Sequence, residues 1–105
     1  MNDDYQKHGF IARTRLISTP HANEARGELE GFIRDYGDHP QFADWCYFKS
    51  HMILPWVAGL AMAPGVVEVV REALGPDILL WNSFIPFKAP NSQGHFAWHQ
   101  DATYW

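Results

Sequence analysis

The sequence predicts an α+β domain in which helices pack on a small, mainly antiparallel sheet. Three observations carry this expectation. Apolar residues recur at helical spacing between Thr19 and Leu74, β-branched and aromatic residues are frequent in 9–18, 77–88 and 95–105, and Gly and Pro punctuate the joins. With 105 residues, 47% of them hydrophobic and 15% aromatic, the chain has apolar mass for one modest core.

After a polar start, Gly9–Ser18 mixes aromatic and β-branched residues with charges, as a half-exposed edge strand would. Thr19 and Pro20 form an N-cap and first-turn pair. Ala22, Ala25, Leu29, Phe32, Ile33 and Tyr36 then repeat at helical spacing up to Gly37, which predicts a helix over 20–36. Gly27 and Gly31 inside it each cost about 1 kcal/mol relative to Ala, so packing must hold it. Residues 38–50 have no clean period, and Phe42, Trp45, Tyr47 and Phe48 are expected to pin a loop or short helix to the core. From His51 to Ala63, Met52, Ile53, Trp56, Val57 and Leu60 share one helical face, on which Pro55 fits only in a first turn. A third helix is predicted over 65–74, with Val66, Val67, Val70 and Leu74 on one side and a Gly75-Pro76 stop.

Residues 77–88 read as a strand, with Leu80, Asn82, Phe84 and Lys88 on one face and Leu79, Trp81, Ser83, Ile85 and Phe87 on the other. Pro86 marks an edge or bulge. A turn over 89–94 then leads to a second strand over 95–105, completing a hairpin.

Composition excludes several functions. Eight basic against twelve acidic residues give a formal charge of −4 with no basic cluster, which argues against nucleic acid as a partner. The lone Cys46 and the polar, acidic N-terminus point to the reducing cytoplasm. The longest apolar stretch, 52–63, is interrupted by Pro55 and is short of the roughly 20 residues that a bilayer span needs.

The chemistry gathers in the last stretch. On a strand, His95, Ala97, His99, Asp101 and Thr103 share one face, and Phe96, Trp98, Gln100, Ala102 and Tyr104 the other. Side chains at 99 and 101 start about 7 Å apart and can converge on one ion at about 2.1 Å from each. One imidazole and one carboxylate are also two thirds of the facial triad that holds non-haem Fe(II). Spacing alone leaves open a His–Asp hydrogen bond on a sheet surface. His95 could join as a third donor only through a bulge, since i and i+4 lie about 13 Å apart on a strand. His51 reads as a capping or core histidine.

The run WHQDATYW (98–105), preceded by GPDILLWNSFIPFKAP (75–90), resembles the phytanoyl-CoA dioxygenase family of Fe(II)- and 2-oxoglutarate-dependent oxygenases. The Gly9-Phe10-Ile11 opening and the helix after Thr19-Pro20 extend the likeness over nearly the whole chain. The resemblance implies that His99 and Asp101 bind Fe(II), with 2-oxoglutarate chelating the same ion and O2 taking the last position. It implies hydroxylation of a small organic molecule rather than halogenation, because halogenating relatives carry a small residue where Asp101 stands. Lys88 could pair with a carboxylate of 2-oxoglutarate or of the substrate, or serve only as an edge-strand lysine. Phe84 is a further pocket candidate on Lys88's face, and Trp98 and Tyr104 could shape the substrate site.

The fold implied is the first part of a double-stranded β-helix, or jelly-roll, core. The family's third iron ligand, a distal His, and its 2-oxoglutarate-binding Arg are expected beyond Trp105. Residues 1–105 are therefore expected to form a single incomplete domain, inactive alone, whose site further sequence or a second chain completes. A rival expectation is a non-catalytic interaction domain that self-associates through an open sheet edge.

Overall fold

A computed structural model describes residues 3–12 and 15–103. It contains five α-helices: α1 (Asp3–His8), α2 (Thr19–Tyr36), α3 (Phe42–Tyr47), α4 (Pro55–Ala61) and α5 (Pro64–Leu74). Short 3-10 turns lie at Ser50–Met52 and Asp101–Thr103.

The helices follow their local signals closely. Ser18, one residue before the expected cap, starts α2: its hydroxyl accepts the His21 N–H at 3.3 Å, and Pro20 sits in the first turn, where its missing donor costs nothing. Pro55 divides the predicted 51–63 helix. It holds Leu54 in an extended conformation (ψ 100°), so the 3-10 turn ends before it and α4 begins at Pro55 itself. The valine-rich run forms α5, closed by Gly75 at φ 87°, a left-handed conformation that glycine adopts without steric cost.

The core is small. Phe32 of α2, Cys46 of α3, Ser50, Val57 of α4 and Ala63 are buried. Phe32 gathers an aromatic cluster, with ring centroids 5.1 Å from Phe42, 5.7 Å from Tyr36 and 6.3 Å from Trp45, while His39 stacks on Trp45 at 4.5 Å. Phe42 and Trp45 thus pin a short helix, whereas Tyr47 and Phe48, expected to do the same, are exposed. Ahead of α2, the Leu16 carbonyl lies so close to Gly65 that any Cβ there would overlap it, which fixes the 15–18 connection against the start of α5.

The sheet expectation is overturned. Among the described residues there is no strand, so the fold is helical rather than α+β, and neither the jelly-roll sheet nor an open sheet edge is present. Residues 9–12 and 15–18 are irregular, and 77–88 and 95–100 carry no ladder. The physical reason is that β propensity measures how well a side chain suits a half-buried pleated surface, and these segments have no neighbouring strand to supply one. The turn between them does form, with Ser92 N–H bonded to the Ala89 carbonyl at 3.2 Å and Asn91 at φ 58°, but its two arms do not pair.

Residues 82–85 instead dock on the connection after α3. The Ile85 N–H donates to the Cys46 carbonyl at 2.7 Å and the Ser50 N–H to the Ser83 carbonyl at 3.1 Å. The Lys49 N–H donates to Asn82 Oδ1 at 2.8 Å, and the His51 N–H to Ser83 Oγ at 2.9 Å, with His51 Nδ1 also 2.8 Å from that hydroxyl. Lys49 takes up a left-handed conformation (φ 50°) to make this turn, and its Nζ lies 5.1 Å from the Trp81 ring centroid. Phe87 packs edge-on against Phe42, with centroids 5.9 Å apart, whereas Leu79 is 96% exposed and Trp98 fully exposed. The radius of gyration is accordingly 15.7 Å, above the roughly 13 Å of a compact chain this long. No helix among the described residues is long and apolar enough to cross a membrane.

Candidate metal centre

His99 and Asp101 come together as a hydrogen-bonded pair, on a turn and not on a strand. Asp101 opens the final 3-10 turn, in which the Thr103 N–H bonds to the Gln100 carbonyl at 3.1 Å. This curl carries the Asp101 carboxylate back toward the preceding imidazole. His99 Nε2 lies 3.1 Å from Asp101 Oδ1, and His99 Nδ1 lies 2.8 Å from the Ala97 carbonyl oxygen.

The Ala97 carbonyl can only accept, so Nδ1 carries the proton that it receives. Nε2 then faces an acceptor oxygen, and two lone pairs 3.1 Å apart need a cation between them: a proton on Nε2 or a metal. The Ala97 hydrogen bond, aided by the Asp101 charge, raises the His99 pKa above its ordinary value despite some desolvation. The spacing also suits a metal. Two bonds of about 2.1 Å at right angles put their donors about 3 Å apart, and imidazole with carboxylate suits first-row divalent ions. The side chains are 47% and 81% exposed, so the pair is open to solvent. No group of three or more His, Cys, Asp and Glu side chains suited to a metal occurs among the described residues.

The other expected site residues are placed as follows. Phe84 stands in the docked segment, half exposed between Ser83 and Ile85. Lys88 is exposed, with its methylenes beside Gly94. Trp98 is fully exposed next to His99, and Tyr104 lies outside the described residues. Two concavities, one between α2 and the start of α4 around Phe32 and Trp56, the other over α5 around Val67 and Arg71, include none of these residues. Sequence reasoning missed two things. The role of the Ala97 carbonyl carries no side-chain signal, whereas Asn82 and Ser83, polar residues inside an aromatic run, did signal the docking point.

The sequence profile of the phytanoyl-CoA dioxygenase (PhyH) family matches residues 5–105. The chain belongs to this family. The match runs from α1 through the docked arm to the final turn, so the His99–Asp101 pair falls within the phytanoyl-CoA dioxygenase region and not in an appended tail. Searches of curated proteins and of solved structures find no match.

Proposed function

We propose that this phytanoyl-CoA dioxygenase family chain serves an Fe(II)- and 2-oxoglutarate-dependent hydroxylation of a small organic molecule, with His99 and Asp101 as iron donors. The observation that carries this reading is the 3.1 Å approach of Nε2 to Oδ1 in a dioxygenase-family sequence. Iron and 2-oxoglutarate, when bound, would supply the oxidising chemistry.

The chain's own residues would supply orientation. Ala97 holds the tautomer of His99 that turns Nε2 outward as a donor, as hydrogen-bonded partners of metal-bound histidines do. Asp101 fills with a carboxylate the position that a halide would need, which favours hydroxylation. Lys88 is assigned as a cationic partner for a carboxylate of 2-oxoglutarate or substrate, Phe84 as a pocket wall, and Trp98 and Tyr104 as substrate contacts. Two donors alone hold ferrous iron weakly, so no turnover is expected until further donors join the site. The reducing cytoplasm, where Cys46 stays a thiol, is the assigned compartment.

Anaerobic Fe(II) titration with and without 2-oxoglutarate, followed by the charge-transfer absorption of the chelate, tests this function. Weak binding that disappears in His99→Ala is expected. Binding unchanged in His99→Ala would overturn the assignment.

A further inference from the structure

We infer that Asn91 is a site of spontaneous deamidation, and that the fold protects Asn82 from the same reaction. The chain holds two Asn-Ser pairs, Asn82-Ser83 and Asn91-Ser92, alike in local sequence and opposite in setting. In each, the small residue that follows leaves its main-chain nitrogen accessible to the asparagine side chain. The Ser92 nitrogen attacks Cγ of Asn91 to form a cyclic imide, as the Cγ–Nδ2 bond breaks and ammonia leaves with the proton from the attacking nitrogen. Water then adds to either imide carbonyl and opens the ring to aspartate or isoaspartate.

Closing that ring needs a backbone free to bend. Asn91 stands at the third position of a turn whose residues, 89–94, are all exposed, and its φ of 58° is a left-handed conformation that asparagine tolerates. Its side chain has no hydrogen-bond partner among the described residues, and its nucleophile is tied by the Ser92 N–H to Ala89 carbonyl bond at 3.2 Å. Asn82 is held on both sides of the reacting atoms. Its Oδ1 accepts the Lys49 N–H at 2.8 Å, while the Ser83 carbonyl accepts the Ser50 N–H at 3.1 Å and the Ser83 hydroxyl the His51 N–H at 2.9 Å. Bringing the Ser83 nitrogen onto Asn82 Cγ requires this clasp to open, which slows the reaction at least about tenfold. The product at 91 places a carboxylate, and as isoaspartate an extra main-chain carbon, in the turn that joins the docked segment to the His99–Asp101 pair.

Incubation of the chain in mildly alkaline buffer, with peptide mass mapping and fragmentation to separate aspartate from isoaspartate, tests this. Asn91 is expected to convert first, at least about tenfold faster than Asn82, and guanidinium chloride should bring the two rates together. Asn91→Gln should remove the early product, because the longer side chain closes a larger, less favoured ring. No conversion at Asn91, or equal rates in the folded chain, would overturn the inference. A rate ratio that persists in guanidinium chloride would show that the clasp does not protect Asn82. A product at 91 without isoaspartate would rule out the imide route.

Discussion

Glycines 27 and 65 show how differently one residue type can act. A Cβ on Gly27, within α2, would meet nothing within 4 Å, so Gly27→Ala is expected to stabilise the chain by about 1 kcal/mol in chemical denaturation. A Cβ on Gly65 would meet the Leu16 backbone, which cannot swing aside, and Gly65→Ala should cost about 1–3 kcal/mol in the same measurement. His99 offers a third residue-level outcome. Its pKa is raised first by the Ala97 carbonyl and then by Asp101, so NMR should find it titrating above an ordinary histidine, and Asp101→Asn should bring it partly down, leaving the Ala97 bond. Because the folded pKa is the higher one, the associated stabilisation is complete below the unfolded pKa and fades as pH rises through the folded value. Spacing made the pairing of 99 with 101 legible. The tautomer, fixed by a backbone carbonyl, was not.

At the scale of elements, helices were legible because their signals are local: a cap, a proline, a repeat of apolar side chains along a few turns. Pro55 shows the precision of such signals, since it alone sets where α4 starts. Strands were not legible because a strand is completed by a partner distant in sequence, and the composition of 77–88 describes only a preference for one. What those residues do instead depends on Asn82 and Ser83. Ser83→Ala removes the acceptor for the His51 N–H and the partner of His51 Nδ1, both part-buried, and should destabilise the docking by about 1–3 kcal/mol. Amide hydrogen exchange checks this: protection of Ile85, bonded to the Cys46 carbonyl, should fall while protection within α2 holds.

At the scale of the whole molecule, the core and the donor pair are built on separate principles. Phe32, Cys46, Val57 and Ala63 come together from three helices and the joint before α5, and their packing exists only in the folded chain. The hydrogen bonds described at the His99–Asp101 pair include one to the Ala97 carbonyl, with the Thr103 N–H to the Gln100 carbonyl closing the turn. The final 3-10 turn holds these groups together, and an unfolded chain keeps the residues but not the turn. A ligand raises a melting temperature only to the extent that it prefers the native state over the unfolded one. Co(II) at saturating concentration is accordingly expected to raise the thermal midpoint of this chain modestly, by less than at structural zinc sites, whose binding energy is folding energy. Calorimetry with and without the ion checks it. Because both side chains lie at the surface, the pair can be altered with little cost to the helical core.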